Sequence, residues 1–350
     1  MFEPAAIDHP SAWTSAALGG REGLTHRLGA GHIAALDRAA EALADRPLAA
    51  IGRDSFADPA IADLMQAVKF ELRHGRGAII LSGVDIGRYG EDVFGKLYWG
   101  LGSFLGRRAI QSPKGDLLGR VEQNEDNPQG RGYQSNIELG PHTDFHELLS
   151  LASVRLAESG GQSGVVSSLA VYNVIARERP DLLPALEEGY FFDLGNGSNT
   201  DYRIPVFGRV GNLVSCYLHP MFMLNAAAQA NTDLPQALRD GLDFVGAVAR
   251  RPEIAASFVL QPGEMLFWHN FTVLHSRTHF ENSASRKRLM LRLWMHADDG
   301  RPMPRGFIEK AEQMDAMHGR GEAGVRYDLP ALREMLERRR QAEQAQTADA

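Results

Sequence analysis

The first thirty residues show no sustained periodicity, and residues 1–30 are expected to form an irregular arm. Beyond them the spacing of apolar positions predicts helices. Residues 32–45 place Ile33, Leu36, Ala40 and Leu43 on one helical face. A second helix begins with Asp58 as N-cap and Pro59 at the first helical position, and Gly75 follows its end. Ile61, Leu64, Met65, Val68 and Leu72 form its apolar stripe. The run Ala78-Ile79-Ile80-Leu81, closed by Ser82-Gly83, reads as a buried strand. Residues 91–104 read as a further helix.

From about Leu117 the texture changes to short apolar segments divided by Gly, Asn and Pro. Strands are predicted over 117–121, 148–156, 165–168, 190–194, 213–218, 257–260, 265–268 and 289–295. Helical inserts are predicted over 169–188 and 235–250. Many short strands following a few helices predict an α+β domain on a barrel or jelly roll, spanning residues 31–328. Residues 329–350 read as a charged helix ending in a frayed tail.

Composition narrows the chemistry. The chain has 350 residues, 12 histidines, 44 acidic side chains and a single cysteine, Cys216. One cysteine excludes an intramolecular disulfide and any cluster of thiolate ligands, so a metal would be held by histidine and carboxylate. The net charge of −7 gives no footprint for nucleic acid. No uncharged apolar stretch approaches the ~20 residues that span a bilayer. The opening MFEPAAIDHP lacks the basic end and apolar run of a signal peptide. The expectation is a cytoplasmic protein acting on a small molecule, with neither nucleic acid nor membrane as partner.

The chemistry-bearing segment is Gly140-Pro141-His142-Thr143-Asp144-Phe145-His146-Glu147. On a strand, residues i and i+2 share a face, so His142 and Asp144 can hold one ion together. A second histidine completes the two-His, one-carboxylate face that leaves three positions open on an octahedral ion, as in non-haem iron(II) oxygenases. Three H-x-D/E pairs occur: His142/Asp144, His279/Glu281 and His296/Asp298. The first has a distant histidine in a strand-rich context, His275. On spacing alone, a surface turn pair beside a hydrogen-bonded core histidine fits as well. In Arg288-Leu289-Met290-Leu291-Arg292-Leu293-Trp294-Met295 the period-two reading puts Arg288, Met290, Arg292 and Trp294 on one face. Arginines on such a face require an anionic partner, and a dicarboxylate co-substrate supplies one. Trp268 and Trp294 read as core. His146 and His279 read either as pocket-lining or as structural, and Asn136, Glu138 and the polar run 195–201 as pocket or ordinary loop.

The HTD run, Gly160-Gly161-Gln162-Ser163, PGEMLFWHNFTVLHSRTHFE and RLMLRLW, in this order, resemble the taurine dioxygenase/clavaminate synthase-like family of iron(II)- and 2-oxoglutarate-dependent oxygenases. The resemblance covers roughly residues 75–298. It implies a double-stranded β-helix (jelly-roll) core with flanking helices. It implies that His142, Asp144 and His275 are the metal triad, and that Arg288, thirteen residues after His275, pairs with the distal carboxylate of 2-oxoglutarate. Ser163 falls where the family often has a hydroxyl on that carboxylate, and Arg292 where some members have a second arginine for the cofactor or an anionic substrate group. The implied activity is hydroxylation of a C–H bond of a small molecule, such as an amino acid or related zwitterion, consuming molecular oxygen and releasing succinate and CO2. The intact Asp144 speaks against halogenation, because related halogenases replace that carboxylate. A jelly-roll hydrolase or isomerase without 2-oxoglutarate, and a non-catalytic ligand-binding relative, are the alternatives.

Overall fold

Seven strands make the larger sheet of the protein, seen in a computed structural model that describes residues 6–125, 132–195 and 197–322. The order along its main path is Thr25–Arg27, Ala78–Ser82, Met265–His269, Leu148–Arg155, Leu289–Ala297 and Gly106–Arg108, with Gly119–Val121 also pairing with Leu289–Ala297. A smaller sheet runs Ala256–Phe258, Ser163–Ser167, Val273–Arg277 and Leu139–His142. The chain crosses between the sheets after His142 and again after His269. This is the jelly-roll arrangement of two facing sheets.

The four central strands of the larger sheet are buried on both faces, which is why they read as continuous apolar runs. Ala78, Ile80, Leu266, Trp268, Leu149, Met290 and Trp294 belong to the core that includes the space between the sheets. Their alternates Ile79, Leu81, Met265, Phe267, Leu148, Leu289, Leu291, Leu293 and Met295 pack in a second core with the helices Ala30–Leu43, Pro59–His74 and Gly90–Gly102. The predicted cap is present: the Asp58 side chain accepts from the Ala60 N–H at 3.0 Å, with Pro59 at the first helical position.

Several expectations need correction. The arm is not wholly irregular: Ser15–Leu18 is helical, and Thr25–Arg27 pairs in parallel with Ala78–Ser82. The helix expected over 169–188 breaks into Ser168–Glu178 and Leu183–Glu188. Pro180 lacks the N–H that would continue the first helix, and Arg179 leaves helical geometry before it. Over 190–194 there are only isolated bridges, Tyr190 to Ile204 and Asp193 to Asn199. The helices Pro220–Gln229 and Phe307–Gly319 were not anticipated. The helix and tail expected over 329–350 lie outside the described residues.

Candidate functional site

His142 ends the strand Leu139–His142, and His275 lies directly across from it on Val273–Arg277. Leu139–His142 is an edge strand, so Pro141 removes no hydrogen bond that a central strand would need. The pairing passes from His275/His142 to Arg277/Leu139, placing two residues, Gly140 and Pro141, opposite Ser276. This bulge turns the Gly140 carbonyl onto the His142 ring: Nδ1 lies 2.8 Å from that oxygen. A carbonyl only accepts, so Nδ1–H donates and Nε2 keeps its lone pair for the interior.

Asp144 does not share the strand with His142, contrary to the simple i, i+2 picture. It lies on the crossing between sheets. There Asn270, fully buried in the other crossing, holds it by two bonds. The Asp144 N–H donates to Asn270 Oδ1 at 3.0 Å, and Asn270 Nδ2 donates to the Asp144 carbonyl at 2.9 Å. The amide thus replaces a neighbouring strand. Asp144 Oδ1 lies 3.7 Å from His142 Nε2, and Oδ2 lies 4.0 Å from His275 Nε2. One ligand atom from each of the three residues falls within 4.8 Å of the others.

The electrostatics suit a divalent cation. Burial, then the neighbouring His142, pushes His275 down to about 3, so its ring is neutral near pH 7. Burial opposes ionisation of Asp144, but His275, His142, Arg292 and the Trp294 N–H together hold its carboxyl well below the usual range. Trp294 Nε1 donates to Oδ2 at 2.7 Å. Two nitrogen lone pairs and one carboxylate oxygen free of that bond fit a first-row metal with open positions.

Trp294 is core, as expected, but its indole N–H also serves Asp144, a role its period-two position had not revealed. Arg292 lies across its ring, with the guanidinium carbon 3.7 Å from the centroid, and donates to the Gln111 carbonyl at 2.9 Å. Arg288 is buried immediately before the same strand, and Nη1 has no hydrogen-bond partner. Gly161 makes room for it: a Cβ there would stand 3.1 Å from Arg288 Nε. Ser163 is buried in the smaller sheet, directly across from Arg277 on Val273–Arg277.

His219 is a neighbour the sequence did not single out. Its ring lies 6.2 Å from that of His142 and 4.0 Å from Phe222, and with Phe145 these rings form an aromatic wall beside the triad. His146 does not line the pocket. It is fully buried behind Trp294, stacked at 5.3 Å, and bonds Asp315 through Nε2 at 2.9 Å. His296 Nε2 reaches the other oxygen of Asp315 at 2.7 Å, which ties the helix Phe307–Gly319 to the sheet. His279 is exposed, 3.9 Å from Glu281. Glu138 pairs with Arg250 at 3.4 Å, and the Asn136 carbonyl accepts from Phe280 N–H.

Comparison with known proteins gives the family. The model of the taurine catabolism dioxygenase TauD, TfdA family matches residues 44–294. FR-33289 synthase of Streptomyces rubellomurinus is 28% identical over 312 residues, covering 84% of this chain and 91% of the relative. A taurine hydroxylase-like protein of Stachybotrys chartarum is 23% identical over 327 residues, covering 88% and 84%. Among solved structures, an asparagine oxygenase in complex with Fe(II), 2S,3S-3-hydroxyasparagine and succinate superposes with a TM-score of 0.63 at 15% identity, covering 78% of this chain and 93% of its own. The non-heme iron oxygenase OrfP with Fe and alpha-ketoglutaric acid gives 0.56 at 17%, covering 79% and 94%. The chain belongs to the TauD/TfdA dioxygenase family and is an iron(II)- and 2-oxoglutarate-dependent dioxygenase.

Proposed function

We propose that this dioxygenase hydroxylates a C–H bond of a free amino acid or a related small zwitterion in the cytoplasm. His142, Asp144 and His275 would hold Fe(II), and Arg288, Ser163 and Arg292 would hold 2-oxoglutarate. The observation that carries the site assignment is the convergence of His142, Asp144 and His275 ligand atoms within 4.8 Å; separately, buried Arg288 has Nη1 without a hydrogen-bond partner. The amino-acid class is supported by the asparagine oxygenase and by OrfP, whose structures contain 3-hydroxyasparagine and (3S)-hydroxy-L-Arg.

When bound, iron(II) and 2-oxoglutarate supply the oxidising chemistry, in which molecular oxygen and the keto acid are consumed and succinate and CO2 are released. The chain's own part is placement and charge. The Gly140 carbonyl orients His142, burial keeps His275 neutral, and both rings turn Nε2 toward Asp144. Trp294 occupies one Asp144 oxygen, which favours ligation through the other. Arg288 offers a planar fork to a carboxylate in a site from which water is largely excluded. Phe145, Phe222 and His219 give the neighbouring wall an apolar, aromatic surface for the substrate's carbon skeleton.

The test is His142→Ala, assayed with a panel of amino acids for succinate release above the substrate-free background. The wild type is expected to respond to at least one of them with a product heavier by one oxygen, and the variant to none. Full turnover by the variant would overturn the ligand assignment. A wild type stimulated by no zwitterion would overturn the substrate class.

A further inference from the structure

Arg288 is not the only guanidinium buried in the jelly roll. Arg277 is 6% exposed and lies two residues after His275 on the same strand, so both side chains take the same face. Its cross-strand partner is Ser163, which therefore shares that face. Arg277 Nη2 donates to the carbonyls of Ser135, at 2.9 Å, and Ile137. Its Nε and Nη1 are buried without hydrogen-bond partners, as is Nη1 of Arg288. The two guanidinium carbons lie 4.8 and 5.3 Å from the centroid of one ring, Phe280. Among the described residues neither arginine forms an ion pair.

This arrangement is incomplete in charge. Both guanidinium groups are buried, 6% and 4% exposed, against the same ring. A buried cation is stable only when paired, and two cations beside one ring need an anion more than one does. The free N–H groups are those of a planar fork, which suits a carboxylate. Nothing in Arg277's bonds to Ser135 and Ile137 uses Nε or Nη1.

We infer that Arg277 is a second arginine of the distal-carboxylate pocket, gripping 2-oxoglutarate together with Arg288 and Ser163. The inference rests on the cofactor reading above. It makes the pocket select strongly for a dicarboxylate over a 2-oxo acid of the same length that ends in a methyl group.

The test uses the full-length, Fe(II)-loaded protein under anaerobic conditions, reading the metal-to-keto-acid absorbance during titration with 2-oxoglutarate or with 2-oxopentanoate. For Arg277→Gln, 2-oxoglutarate affinity should fall about ten- to a hundredfold, the loss expected of a hydrogen bond to a charged group. Affinity for 2-oxopentanoate should stay within about threefold, since that acid presents no distal charge. An equal loss for both acids would mean that Arg277 only holds the Ser135–Ile137 carbonyls, and would overturn the inference. Unchanged selectivity would overturn it too. If the melting curve shows Arg277→Gln unfolded, Arg277→Lys is read in the same way, and selectivity reduced by at least about fivefold supports the role, because an ammonium cannot reproduce the fork. Wild-type protein that does not prefer 2-oxoglutarate would defeat the cofactor reading itself. A preference lost in Arg288→Gln and kept in Arg277→Gln would defeat this inference alone.

Discussion

If His142, Asp144 and His275 hold iron as proposed, replacing Asn270 by alanine should loosen that site without touching any of the three. Asn270 is fully buried and supplies both bonds that hold the Asp144 backbone, at 3.0 and 2.9 Å. Each such bond contributes about 1 kcal/mol net, and each buried group left unmet costs about 1–3 kcal/mol. With two buried groups left unmet, the variant should therefore lose roughly 2–6 kcal/mol of stability. Asp144 would then sample positions off the His142–His275 axis, and loss of an orienting partner of this kind typically weakens metal binding about 10–100-fold. Iron(II) affinity can be followed by anaerobic competition with a chromophoric chelator, and stability by denaturant unfolding. Since the two readouts are separate, a merely destabilised fold is recognisable: it lowers the melting point while the folded fraction binds metal normally. Iron affinity within twofold of wild type would refute the claim that this amide positions the carboxylate.

Trp294→Phe keeps a ring between Arg292 and His146 but removes the donor to Asp144 Oδ2, so iron affinity should fall about tenfold, measured by the same competition. Asp315→Asn leaves His146 and His296 with one acceptor oxygen between them, and should cost about 2–3 kcal/mol in unfolding experiments while iron affinity changes little. The acid limb of stability follows from two carboxyls. Burial works against ionised Glu147, but the bond from His269 and the Arg301 N–H keep it below its ordinary value; Asp315 is held low against burial by His146 and His296. A carboxyl lowered in the folded state stabilises fully above its unfolded pKa, and that stability is lost as pH falls toward the folded value. Melting temperature should accordingly be flat in these groups above about pH 5 and drop below about pH 4, with a shallower drop in Asp315→Asn. A steeper drop in the variant would contradict the assignment.

Much of the framework was legible because it repeats with a simple period. Both faces of Leu289–Ala297 are buried, and the alternation of Met290 and Trp294 with Leu289, Leu291 and Leu293 assigns them correctly to two cores. The three proposed ligands were legible as residue types in order, His142, Asp144 and His275, and the fold brings their ligand atoms together. What supports it was not. Asn270 and Asp144 are 126 positions apart, and they meet because two sheet-to-sheet crossings run side by side. Asp315 reaches His146 from a helix with a weak apolar stripe, and no local pattern announces the contact. Arg277 could have been found. The parity rule that turned Arg288 and Arg292 inward applies equally to a residue two after His275. Pro180 also stood in plain view inside the stretch read as one helix.

The central claim is that one site, built from His142, Asp144 and His275, couples 2-oxoglutarate turnover to substrate hydroxylation. Its most direct measurement is the ratio of succinate formed to hydroxylated product, with 18O2 as oxidant, in wild type and in His275→Ala. The account predicts a ratio near one, one 18O atom in the product and one in succinate, and neither product from the variant. Hydroxylated product formed without succinate, or unchanged turnover by His275→Ala, would contradict it.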